Sequence, residues 1–192
     1  MTTDTGTDPA TPDLTATPGQ TVGPFFGYAL PFDHDNELVP PGRADAIQLH
    51  GTVRDGSGQP VPDALLELWQ ADPSGAVVQQ EGSLRRDGWT FTGWGRASTD
   101  DTGHYSFSTL RPGAGAGKAP FFAVTVFARG LPNRLFTRAY LPDDPDALAA
   151  DPLLASLDPA ERQTLVTRAE EHGYVFDVRL QGDGETVFLR YE

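Results

Sequence analysis

The sequence predicts a mainly β protein: an antiparallel β-sandwich with one α-helix in its C-terminal half and a long N-terminal arm. Three observations predict it. Gly and Pro are abundant, 21 and 17 of 192 residues, which suits short strands joined by turns better than long helices. Apolar residues recur at period two in short runs that stop at Asp, Gly and Ser clusters. One stretch alone carries both a helix start and a helix stop signal.

The elements follow in order. Residues 1–19 are mostly Thr, Asp, Pro and Gly, with too little apolar surface to offset the entropy of ordering them. A flexible arm is therefore predicted over 1–19 and a single domain over 20–192. Residues 20–26, Gln-Thr-Val-Gly-Pro-Phe-Phe, set two aromatic rings after a Gly-Pro turn and predict a docking segment. Residues 28–45 read as an irregular, Pro-rich loop. Ile47, Leu49, Gly51 and Val53 alternate with Gln48, His50 and Thr52, a strand with His50 on its solvent face. Asp55-Gly-Ser-Gly is a turn, and 64–69 is the next strand.

Residues 72–95 read as a loop anchored by Trp89, Phe91 and Trp94. A turn at 100–103 precedes a strand in which Tyr105, Phe107 and Thr109 share one face. The nearly continuous apolar run 121–127 predicts a strand buried on both faces, and 135–141 predicts another. Asp158 caps a helix, Pro159 suits its first turn, Glu161 completes a capping box and Gly173 ends it. Leu165, Val166 and Ala169 would form its apolar face. Residues 174–180 and 186–189 flank Gln181-Gly-Asp-Gly as a terminal hairpin.

Composition narrows function. The formal net charge is −13, and Lys118 is the one lysine. Such a surface repels phosphate backbones and anionic lipid, so nucleic acid and membranes are poor partners. An anionic substrate would need local positive charge. The absence of Cys removes disulfides, thiolate zinc sites and Cys nucleophiles. No signal-peptide pattern and no apolar stretch near about 18 residues stands in the chain, which predicts a soluble cytoplasmic protein.

The polar residues offer little chemistry on their own. His34, His50, His104 and His172 have no shared ligand spacing, and His172 reads as a complement to the helix dipole. Asp33-His34-Asp35 is the one metal candidate, but three adjacent loop side chains seldom converge on one ion. There is no G-x-S-x-G, H-E-x-x-H or phosphate loop. Glu170 and Glu171 read as a solvated helix face, and Asp143, Asp144 and Asp146 as an acidic loop. Arg129, at a strand end before Gly130, has two readings: a surface cation paired with an acid, or a guanidinium that grips a carboxylate by a bidentate bond. The residues alone favour the surface pair.

Several pieces in order carry a resemblance. They are Gln-Thr-Val-Gly-Pro-Phe at 20–25, Leu-Glu-Leu-Trp-Gln-Ala-Asp at 66–72, Leu-Arg-Pro-Gly at 110–113, Phe-Ala-Arg-Gly-Leu at 127–131, Thr-Arg-Ala-Tyr-Leu at 137–141 and Phe-Asp-Val-Arg-Leu-Gln-Gly at 176–182. Together they resemble the intradiol ring-cleavage dioxygenase family, and within it the iron-free α subunits. The family's iron-binding chains hold non-haem iron(III) through two Tyr and two His. Here the corresponding positions, near Ser83, Gly115, Phe121 and Ala123, carry no such ligand. The resemblance thus implies no metal and no catalytic residue in this chain alone. It implies Fe(III) held by a partner β subunit in a hetero-oligomer of αβ units. It also implies cleavage of 3,4-dihydroxybenzoate with O2 to 3-carboxy-cis,cis-muconate. Thr21, Gly23, Pro24 and Arg129 match the positions from which the α side meets substrate, which turns Arg129 toward the carboxylate-gripping reading. Phe25 stands where many relatives have Tyr, so no hydroxyl contact comes from there.

Two other readings compete. Transthyretin-like binding modules share Gly-x-Val-x-Asp and Pro-Val-x-x-Ala, present at 51–64. The Gly-Pro-Phe-Phe segment and the late Gly-Glu-Thr-Val-Phe run weigh against that. A stand-alone enzyme built on Asp33-His34-Asp35 is the weakest reading.

Overall fold

The computed structural model describes residues 20, 21, 23, 25–80, 86–115 and 117–191, apart from the Tyr28 side chain. The expected arm over 1–19, Pro24 and Ser83 lie outside the described residues. Among them the chain runs α1 (Phe26–Ala29), β1 (Ile47–Arg54), β2 (Leu65–Gln70), β3 (Trp94–Ser98), β4 (His104–Thr109), β5 (Phe121–Phe127) and β6 (Leu135–Tyr140). It continues through α2 (Pro145–Ala150), α3 (Pro152–Ser156), α4 (Pro159–Gln163), β7 (Arg168–Glu170), β8 (Gly173–Val175) and β9 (Val178–Arg179).

Two sheets form the sandwich. One has the order β4-β1-β8-β7, with β9 also on β1; the other has β3-β2-β5-β6. The second is antiparallel throughout. The first is mixed, because β8 and β9 run parallel to β1. Everything from β2 to β7 lies between β1 and β8, which gives the long connection that parallel pairing requires.

The period-two patterns decide the core. Leu49, Val53, Tyr105 and Phe107 from the first sheet meet Leu66, Leu68, Phe122, Val124 and Val126 from the second. Each such side chain contributes about 1.5–3 kcal/mol on burial. Buried polar groups are matched: the Tyr105 hydroxyl donates to the Phe176 carbonyl at 2.6 Å. Burial in apolar surroundings pushes that phenol far above its ordinary pKa. A smaller cluster of Ala119, Tyr140, Leu154 and Leu165 is organised by Asp151. Its carboxylate accepts from Ala119 N at 3.1 Å, the Tyr140 hydroxyl at 3.1 Å and Leu153 N at 3.0 Å.

Five expectations are corrected. The helix stops at Gln163, and residues 168–170 are β7. The capping box at Asp158 and Glu161 forms, but Thr167 N donates to the Tyr140 carbonyl at 2.9 Å and pulls the chain onto the second sheet. Leu165 is buried there while Ala169 is exposed, so no continuous helical face exists. Glu170, Glu171 and His172 are accordingly not helical. Second, β5 alternates: Phe122, Val124 and Val126 are buried, while its other residues are only half-buried. Third, Trp89 is 86 % exposed and anchors nothing, whereas Trp94 is buried in β3. Fourth, His50 is not simply solvated: Nε2 lies 3.1 Å from Glu170 Oε2, and Nδ1 lies 3.4 Å from His104 Nε2. Fifth, the terminal turn forms at 182–185 and Thr186 N donates to the Arg179 carbonyl at 3.0 Å across it, but the second arm then leaves, and Leu189 bridges Phe136 on the other sheet.

Candidate functional site

Two clefts stand near opposite ends of β2 and β5. The first lies past the β2 C-terminus. Trp69 sits directly across from Ala123, so both project from the outer face of the second sheet, with Phe121 two residues on. Two glycine-containing loops close around them. Asp72 begins a tight turn; its Oδ1 accepts from Ser74 N at 2.8 Å and Ala76 N at 3.0 Å. Gly113 N donates to the Asp72 carbonyl at 2.8 Å, which clamps the two loops together. The clamp needs glycine on both sides. A Cβ on Gly75 would fall 2.1 Å from the Ala114 carbonyl oxygen, and one on Gly113 would fall 2.4 Å from Pro73 O. Gly75 also has φ +88°, a left-handed conformation that only glycine adopts without strain.

The resulting cavity has a volume of about 240 Å³ and is lined by Trp69, Val77, Gly115, Lys118, Phe121 and Ala123, among others. Three of the four expected lost-ligand positions therefore come together; Ser83 is outside the described residues. Gln70 also lines the cavity, but its amide is engaged. Its Nε2 donates to the Leu110 carbonyl at 2.8 Å and its Oε1 accepts from Thr109 Oγ1 at 2.5 Å. Among the described residues that line this cavity there is no carboxylate, imidazole or phenol, so these side chains do not fit an iron(III) ion. Among the described residues, no group of three or more His, Cys, Asp or Glu could hold a metal. The Asp33-His34-Asp35 triplet diverges: His34 Nδ1 pairs with Glu37 at 3.1 Å, while Asp35 Oδ2 accepts from Phe32 N at 3.3 Å.

The second cleft, of about 230 Å³, lies at the other end. It is lined by Arg129, Asp63, Ala64, Thr99 and Gly27. Arg129 Nε donates to Asp63 Oδ2 at 2.6 Å, and its Nη2 donates to the same oxygen. Gly130, with φ +91°, turns the chain after it. Thr99 Oγ1 fixes the opposite wall, accepting from Ala64 N at 2.9 Å and donating to the Val61 carbonyl at 2.8 Å. Gly27 belongs to α1, which follows the Gly-Pro segment. Phe26 beside it is buried while Phe25 is 76 % exposed, so one of the two expected docking rings is seated. Gly23 N donates to Thr21 Oγ1 at 3.4 Å, an exposed contact.

The structure thus brings Arg129 and the segment after Gly23 to one cleft. Asp63 and Lys118 were not singled out by sequence reasoning. Nothing marks Asp63 in the chain, but Lys118 has a signal, as the single lysine in a Gly-rich stretch.

The two-sheet sandwich has the architecture of the intradiol ring-cleavage dioxygenases. A family profile described as "Dioxygenase" matches residues 21–182, and the chain belongs to that family. The protocatechuate 3,4-dioxygenase alpha chain of Burkholderia cepacia is 39 % identical over 195 residues, covering 92 % of this chain and 98 % of that one. The beta chain from the same organism is 34 % identical over 183 residues, covering 83 % and 76 %. Among solved structures, the dioxygenase domain of a dioxygenase–carbohydrate-binding fusion from Streptomyces sp. SirexAA-E superposes with a TM-score of 0.57 at 26 % identity. It covers 88 % of this chain and 99 % of that one.

Proposed function

We propose that this chain is the iron-free α subunit of a protocatechuate 3,4-dioxygenase. It would pair with an iron(III)-bearing β subunit in the cytoplasm and complete the active site for intradiol cleavage of 3,4-dihydroxybenzoate. The observation that carries this reading is the cavity at Gly115, Phe121 and Ala123, whose described lining residues include no carboxylate, imidazole or phenol, in a chain 39 % identical to an alpha chain. Iron on the partner would supply the oxygen chemistry. This chain's part is to bind and orient.

Arg129 is the group for that part. A guanidinium has five N–H donors, and Asp63 takes two of them through one oxygen. Nη1 has no hydrogen-bond partner among the described residues. It can meet a substrate carboxylate while Asp63 holds the side chain in place. Thr21 and Gly23, in the segment that leads to Gly27, would meet substrate from the same side, and Pro24 is the third position that the family resemblance assigns there. Asp63 balances the charge of Arg129, so the cleft offers an anionic substrate directed N–H donors rather than net positive charge.

The test is co-expression with an iron-bearing β subunit. The expected result is a stable complex with ring-cleavage activity and visible Tyr–Fe(III) colour, neither shown by this chain alone. Stoichiometric iron and activity in the isolated chain would overturn the reading.

A further inference from the structure

We propose that the cavity between Trp69, Phe121 and Lys118 is a second small-molecule site, one that takes a single-ring aromatic carboxylate without metal. Its ring would lie against Trp69 and Phe121, and its carboxylate would meet the Lys118 ammonium.

Four observations carry this. Among the described residues the lining is apolar apart from two, and one of these, Gln70, is consumed by Leu110 and Thr109. Of the described lining residues, that leaves Lys118 as the charged side chain able to serve a ligand. Lys118 forms no ion pair among the described residues, although the chain has 27 Asp and Glu against 14 Lys and Arg. In a chain this acidic, an unpaired cation beside an apolar wall selects an anion with an apolar body. Trp69 is 47 % exposed, whereas its strand neighbour Leu68 is fully buried, so an indole face is available for ring stacking. Finally, the cavity's volume of about 240 Å³ is below the range of about 300–1,000 Å³ that holds drug-sized ligands, which limits the occupant to one ring.

The walls are held in place. The Asp72–Gly113 clamp fixes one side. On the other, Ala119 N donates to the buried Asp151 carboxylate, which pins the chain one residue after Lys118. This site is separate from the Arg129 cleft. Phe121 and Phe127 are six residues apart on β5, roughly 20 Å at the rise of an extended strand.

Benzoate is the probe, titrated into the purified full chain and followed by ligand-detected NMR and by tryptophan fluorescence. Saturable binding is expected. Lys118→Ala should raise Kd about tenfold or more, as loss of a charge-assisted contact does. Ala123→Leu, which fills the cavity from the outer face of the sheet, should abolish binding. Arg129→Ala should leave this Kd unchanged, and neutral benzamide should bind far more weakly than benzoate. Absence of saturable binding, equal affinity for benzamide, or a Kd insensitive to Lys118→Ala would each overturn the proposal. Circular dichroism of both cavity variants separates lost binding from lost folding, and Lys118→Ala, an exposed loop change, keeps the test valid if Ala123→Leu unfolds. None of these outcomes bears on the co-expression result, so the two readings fail independently.

Discussion

Arg129 and Asp63 meet through a single carboxylate oxygen, with Nε donating at 2.6 Å and Nη2 to the same atom. The pair lines the cleft that also receives Gly27 from the N-terminal segment. The arginine therefore has the acid partner of the surface-pair reading, and it also lines a cleft.

Arg129→Ala, in the complex with a β subunit, should raise KM for 3,4-dihydroxybenzoate by about 10- to 100-fold, the scale of one charged hydrogen-bonded contact. Iron content should not change. Steady-state kinetics together with metal analysis checks this, and Arg129→Lys should recover only part of the loss because the ammonium lacks the planar fork.

Gln70 and Thr109 tie the two sheets together inside the core. Gln70→Leu would leave the Thr109 hydroxyl and the Leu110 carbonyl without their partner. A loss of about 2–4 kcal/mol is expected in denaturant unfolding. Thr109→Val added to it should cost less than the sum of the single changes, since one bond is counted in both.

Gly75→Ala should lower stability by about 1–3 kcal/mol from backbone conformation alone, before the contact with the Ala114 carbonyl is included. In a chain of this size each kcal/mol lowers Tm by about 2–4 °C. Thermal unfolding measures it, and an unchanged Tm would contradict the loop clamp.

Acid should destabilise the fold. The Thr90 hydroxyl and nearby N–H groups hold the Asp87 carboxyl at about 2. Ser74 lowers Asp72, Thr102 lowers Asp100, and Arg168 followed by His50 lowers Glu170. Each carboxyl is more acidic in the folded chain than in the unfolded one. Its contribution is complete above the unfolded value, about 4, and is lost as pH falls toward the folded value. Burial raises the Asp35 carboxyl, which acts in the opposite direction. The net expectation is a denaturation midpoint that falls between about pH 5 and pH 2, with a shallower fall in Asp100→Asn.

The fold was largely legible because burial follows period two wherever one face of a strand is covered. Leu49 and Val53, and Tyr105 and Phe107, are buried as their alternation predicts. The region after Gln163 was not legible. Its caps are those of a helix, but the tie between Thr167 and Tyr140 is a contact of long sequence separation that outweighs local propensity. Isolation of the histidines was a statement about sequence spacing, and the register of β1 with β4 brings His50 and His104 together.

By itself the sequence determined the sandwich and the family, because each rests on residue type and order along the chain. Tertiary structure decided where three of the positions expected to match metal ligands converge. It placed Gly115, Phe121 and Ala123 around one cavity with Trp69 and Lys118, and it set Asp63 against Arg129. Such groupings depend on strand register and on two loops meeting at Gly75 and Gly113, distances that no local pattern encodes.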